Sequence, residues 1–236
     1  MAQNRNLRLV ILGGDDLVDV TLSRNDGGRT LQRGVRELVT ASYPEIGLGV
    51  RHEATSGLAE VRGRLEDGSS SLIADPPDVV LLSLTAEASE LGSGAATAEQ
   101  AVQAVRQDLV SVIGLVKEKV GAHVLVTNLS TIDPGDAPFT YHGLAEEPFT
   151  LRAHRLDLML VGVSHDEGIS IIDVDRLVAE LGAAGNVDGP ASYGPEACTR
   201  IAAEIVRILD DYGFLDDRPL LAQVGARAPD SANGST

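Results

Sequence analysis

Five short apolar runs punctuate the chain: Leu7 to Leu12, Leu48 to His52, Val79 to Leu84, His123 to Thr127 and Ile169 to Val174. Each is rich in Val, Ile or Leu and ends near Gly, Asp, Asn or Ser. Runs of this length, closed by turn-forming residues, predict strands buried on both faces. Between them the apolar positions take a helical period. Leu31, Val35, Leu38 and Val39 make one stripe, and Leu58, Val61 and Leu65 another. The longest stripe holds Val102, Val105, Leu109, Val112, Ile113, Val116 and Val120. Leu156, Met159, Leu160 and Val163 form a fourth, and Ile201, Ala202, Ile205, Leu209 and Tyr212 the last. Thr97, with Gln100 three residues on, predicts a capping box at the start of the longest helix. Pro195 suits the first turn of the last helix, and Asp175 is placed to cap a helix over Arg176 to Leu181.

Strand and helix alternate along the chain. That order predicts a three-layer α/β/α sandwich around a doubly wound, mostly parallel sheet of five strands. Residues 1–221 are read as one domain and residues 222–236 as a disordered tail, because the tail is small and polar. Two connections break the rhythm. Glu66 to Pro77 is polar, and Ser130 to Pro148 carries three prolines, two glycines, Tyr141 and His142. A loop of the second length usually has a function or no fixed structure.

Composition narrows the chemistry. Hydrophobic residues make up 43% of the 236 positions but aromatics only 3%, with no Trp, so the core must be aliphatic. The net charge of −16 argues against nucleic acid and anionic membranes, whose binding rests on clustered Lys and Arg. One cysteine, Cys198, rules out a disulfide within the chain and a zinc site built from cysteines. It reads as a buried structural thiol. The start of the chain does not read as a signal peptide, and no apolar run approaches the roughly 20 residues of a membrane span. The expectation is a cytoplasmic protein.

Sites in open parallel sheets gather at the carboxyl ends of the strands. Asp15, Asp16 and Asp19 follow the first run. Asp15 and Asp16 could hold a divalent cation, since hard cations take carboxylate oxygens. Equally, Asp15 and Asp19 could polarise the start of the next helix. Asp16 itself is expected to stay charged, held by the N–H groups of its own turn. His142 is the candidate general base if its loop folds over the site. His154 and His165 share a helix face eleven residues apart, too far for one metal, and read as surface residues. Asp173 and Asp175 follow the fifth run and could line the same crevice. A receiver domain shares the acidic pair, but Ser83 stands at its phospho-acceptor position and the next connection is too long.

The segments Leu9-Val10-Ile11-Leu12-Gly13-Gly14-Asp15-Asp16-Leu17, Glu53-Ala54-Thr55-Ser56-Gly57, Pro77 to Glu87, His165 to Asp173, and Asp188 through Ile205 carry a resemblance. Together they resemble the SGNH (GDSL-type) hydrolases over residues 7 to 212. The resemblance implies a serine nucleophile on the first loop and a histidine base in the last block, with an aspartate three residues before it. It also implies an oxyanion hole of backbone N–H groups and an asparagine. Carried across, Gly57 and Asp188 match. Asp16 stands at the serine, Glu87 at the asparagine, and Ala191 at the histidine, with Ser192 the nearest polar side chain. A hydroxyl needs a base within reach, and an oxyanion needs donors rather than acceptors.

Three functions follow. One is a non-hydrolytic binding or accessory protein that keeps the crevice and takes a small-molecule or carbohydrate-like ligand, or a protein partner, without a cofactor. The second is an active esterase, acyl hydrolase or acyltransferase with a rearranged centre, using Asp16 with His142 or a metal on Asp15 and Asp16. The third is a structural or oligomerisation role.

Overall fold

The computed structural model describes residues 5–87, 97–131, 149–182, 185–189 and 192–216. Strand β1 (Arg5–Gly13) passes through a 3₁₀ turn, Asp15–Leu17, into the single-turn helix α1 (Val18–Thr21). A hairpin follows, β2 (Arg24–Asp26) and β3 (Arg29–Gln32). Next come α2 (Val35–Ser42), β4 (Ile46–Ala54), α3 (Leu58–Glu66), the short α4 (Ser71–Ala74) and β5 (Val79–Ser83). Helix α5 (Ala98–Leu115) continues through a π-helical end, Val116–Val120, to β6 (His123–Thr127). Then follow α6 (Phe149–Glu167), β7 (Ser170–Ile172), α7 (Val174–Leu181), a second hairpin of β8 (Val187–Gly189) and β9 (Ser192–Tyr193), and α8 (Pro195–Asp211).

The five apolar runs form one sheet in the order β4-β1-β5-β6-β7, and every neighbouring pair is parallel. Alternate residues of each strand face opposite sides, so the sheet supports two cores. On one side Val10, Leu12, Val80, Leu82, Val124 and Val126 pack under α3, α5 and α6. On the other Leu9, Ile11, Leu81, Leu125 and Ile172 pack under α1, α2, α7 and α8. All five residues of β5 are buried, as a central strand covered on both faces requires. The expected α/β/α sandwich is the fold observed.

Local details depart from expectation. Leu31 belongs to β3, not to the helix that carries Val35 and Leu38, because Asp26-Gly27-Gly28 turns the chain into a hairpin first. The polar stretch before β5 contains α4, capped by the Ser70 hydroxyl, which accepts from Leu72 N. Asp188 lies in hairpin β8–β9, while α8 begins at Pro195, which sits in its first turn as read. Helix α7 is capped by Asp173, whose carboxylate accepts from Arg176 N, and not by Asp175. The capping box at Thr97 and Gln100 forms as read. Among the described residues, no helix is long and apolar enough to cross a membrane.

Candidate functional site

The carboxyl ends of β4, β1 and β5 lie side by side, which brings their following loops together. Gly13 closes β1 against Ser83 at the end of β5: a Cβ on Gly13 would lie 2.5 Å from Ser83 Cβ. Only glycine lets the two strands end that closely. The chain then turns, and Asp16 reaches back across the sheet. Its Oδ2 accepts from Ser83 Oγ at 2.7 Å, and Ser83 Oγ also bonds the Thr85 hydroxyl.

Burial pushes the Asp16 carboxyl above its ordinary value. The Ser83 and Thr85 hydroxyls, its own backbone N–H and the charge of His52 oppose that shift without cancelling it. The turn N–H expected to favour the carboxylate is present, but desolvation outweighs it and the hydroxyls together, so the net shift is upward. His52, at the end of β4, meets the same loop from the other side, its Nε2 2.8 Å from Gly14 O. His52 also lines a cleft of about 600 Å³ together with Val18, Thr21, Leu22, Thr40 and Val50.

The second loop, after β4, ends at Gly57, whose φ of 141° suits glycine. Glu87 is buried beside it and accepts from Leu58 N at 2.6 Å, at the first turn of α3. A Cβ on Gly57 would lie 2.8 Å from Glu87 Oε1. The amide edge at the start of α3 thus already faces a carboxylate.

The other proposed positions are placed as follows. Asp188 sits in β8, with its side chain outside the described residues, as is the side chain of Asp15. Ser192 is exposed in β9. Ala191 and His142 lie outside the described residues. Next to Ser192, Tyr193 turns inward, and burial raises its hydroxyl well above the usual range, reinforced by the charges of Asp16, Cys198 and Asp175. Pattern alone does not single out His52, Thr85 or Tyr193, and it notes Ser83 only against a receiver domain. A Ser-x-Thr pair at the end of a buried strand opposite Asp16 is the signal that could have found Ser83 and Thr85.

Farther along the sheet, the ends of β6 and β7 form a second polar cluster. Asn128 Oδ1 accepts from Val174 N at 2.6 Å and from Asp175 N at 3.3 Å, while its Nδ2 donates to Asp173 Oδ1 at 2.9 Å. Thr131 donates both its N–H and its hydroxyl to Asp175 Oδ1, at 2.6 and 2.8 Å. Asp157, on α6, faces this cluster, and its pKa is pushed up to about 7. Burial is the main cause, followed by the charge of Asp175; Asp173 adds to it, and the Leu129 N–H opposes it. His154, Asp157, Asp173 and Asp175 line a cleft of about 560 Å³.

A member of the lipolytic protein G-D-S-L family from Veillonella parvula DSM 2008 superposes with a TM-score of 0.58 at 15% identity, covering 86% of this chain and 98% of its own. The acetylxylan esterase Axe2 from Geobacillus stearothermophilus superposes with a TM-score of 0.60 at 15% identity, covering 88% and 95%. The fold is that of the SGNH/GDSL-type hydrolases. LAE5, an alpha/beta hydrolase enzyme from the metagenome of Lake Arreo, Spain, also superposes, with a TM-score of 0.59 at 13% identity over 92% of this chain and 99% of its own. At such identities an SGNH/GDSL-type likeness speaks for backbone architecture and not for the side chains of the site. No protein-family model and no curated protein matches the sequence.

Proposed function

We propose that this SGNH/GDSL-like chain is a non-hydrolytic binding or accessory protein, with a small-molecule or carbohydrate-like ligand or a protein partner. The observation that carries the reading is Glu87 Oε1 at 2.6 Å from Leu58 N, beside Gly57. An ester-cleaving site needs donors aimed at the developing oxyanion, and the loss of one donor alone costs about 10²–10³-fold in rate. Here a carboxylate occupies that donor edge and would repel the oxyanion. Asp16 supports the same reading. Its carboxylate accepts from Ser83 at the position where the family resemblance places a nucleophile. The nearby His52 Nε2 is bonded to Gly14 O, so that nitrogen is not aimed at a substrate proton. The cleft lined by Val18, Thr40, Val50 and His52, about 600 Å³, has the volume of a small-ligand site.

The test is hydrolysis of p-nitrophenyl acetate and butyrate by the full chain, with Asp16→Ser and Asp16→Ala beside it. The expected result is background hydrolysis from all three. Enzymatic turnover by the parent chain that disappears in Asp16→Ala, or in His142→Ala, overturns the proposal in favour of a rearranged esterase.

A further inference from the structure

We propose that His154, Asp157 and Asp175 form a binding site for one first-row divalent transition metal of the zinc type, at the carboxyl ends of β6 and β7. The proposal is independent of whether the chain hydrolyses esters. Nor is it the Asp15 and Asp16 pair read from the sequence: in a parallel sheet the edge β6–β7 lies two to three strands from β1, roughly 10–15 Å away.

The donor set comes first. His154 and Asp157 are three residues apart on α6 and so share one helix face. Asp175 lies in the first turn of α7, facing them. One ligand atom from each of the three lies within 4.8 Å of the others. Bonds of about 2.0–2.2 Å place the donors of a four- to six-coordinate ion roughly 3–4.3 Å apart. A rotamer adjustment of exposed His154 closes that difference. An imidazole with two carboxylates suits zinc, manganese or cobalt better than magnesium or calcium, which take oxygen alone.

The second observation is a mismatch that a cation would resolve. Asp157 Oδ1 is buried and has no hydrogen-bond partner among the described residues. A buried carboxylate oxygen left unpaired is costly, and native structures rarely keep one without a reason. Among the described residues no Lys or Arg pairs with Asp157 or Asp175, whereas Arg176 bridges Asp173, Glu180 and Glu204.

The third observation is that the groups behind the donors are already oriented. Thr131 holds Asp175 through Oδ1 with two bonds. Asn128 fixes the start of α7 from which Asp175 projects. Such supporting bonds are what hold ligands in place before a metal arrives. Leu158 and Val161 form an apolar rim on the same cleft.

The experiment is titration calorimetry of the tag-free full chain, stripped with chelator, against Zn²⁺ and Mg²⁺, with visible spectra of the Co²⁺-loaded protein. The expected result is one Zn²⁺ per chain, at least tenfold tighter than Mg²⁺. His154→Ala and Asp157→Asn should each weaken Zn²⁺ by tenfold or more and alter the cobalt bands. His154 is exposed, so His154→Ala should melt like the parent, which separates lost ligation from misfolding. His165→Ala, on the same helix, should bind as the parent does. No saturable zinc binding, or binding equal in the parent, His154→Ala and Asp157→Asn, overturns the proposal.

Discussion

Asp16 is a carboxyl that burial has made reluctant to ionise, sitting on two hydroxyls that favour its ionised form. Burial wins, so the folded protein holds its proton more tightly than the unfolded chain does. The stability that this group contributes is whole below its unfolded value near 3.8 and is lost as pH rises through the higher folded value. Between pH 4 and neutrality, Asp16→Asn is therefore expected to flatten the decline of stability and to be no less stable than the parent at pH 7. Denaturant midpoints measured across that range check it; parallel curves for the two proteins would show that Asp16 titrates normally. Sequence located Asp16 at the turn after β1, because an apolar run ending in Gly-Gly-Asp-Asp can only put it there. It did not reveal Ser83 as the partner, which is 67 residues away and meets Asp16 only through strand pairing.

At the scale of elements, the Asn128 side chain ties the end of β6 to the start of α7. Asn128 accepts from two N–H groups at the start of α7, which have no carbonyl of their own helix to bond. Asn128→Ala is expected to cost about 2 kcal/mol, because buried donors are left unpaired. Asn128→Asp should cost more, since it adds a third carboxylate beside Asp173 and Asp175. Urea unfolding of both variants measures this; a cost within about 0.5 kcal/mol, as for a surface change, would remove Asn128 from that role. The strands and long helices were legible because their apolar periods are long and clean. The two hairpins, β2–β3 and β8–β9, were not, since strands of two to four residues carry too few positions to show a period. Asp173 took the cap expected of Asp175 for a related reason: β7 ended at Ile172, so α7 began at Val174.

At the scale of the molecule, the sheet divides two aliphatic cores, and Cys198 lies inside the one beneath α8. Burial, then the charge of Asp19, raises its thiol to about 12, against the pull of Arg24 and a backbone N–H. The thiolate is the reactive form, so the native thiol should react with DTNB at pH 8 at least about 100-fold more slowly than in the unfolded chain. In mild denaturant its labelling rate should follow global unfolding, because α8 must leave the core before the sulfur is reached. Rapid labelling of the native protein would show that α8 opens locally.

Sequence by itself determined the sandwich. Strands covered on both faces must be apolar throughout, helices covered on one face must be striped, and both patterns are local. It also marked the loops after β1 and β4, where glycines and acidic residues interrupt those patterns. Tertiary structure alone decided which polar groups meet. Parallel pairing of β1 with β5 set Ser83 against Asp16, the helical turn after β5 brought Glu87 to the amides of α3, and the packing of α6 across β7 set His154 and Asp157 opposite Asp175. Each of these contacts joins side chains that are distant in sequence, and local patterning holds no information about them because only the folded sheet sets the distance between them.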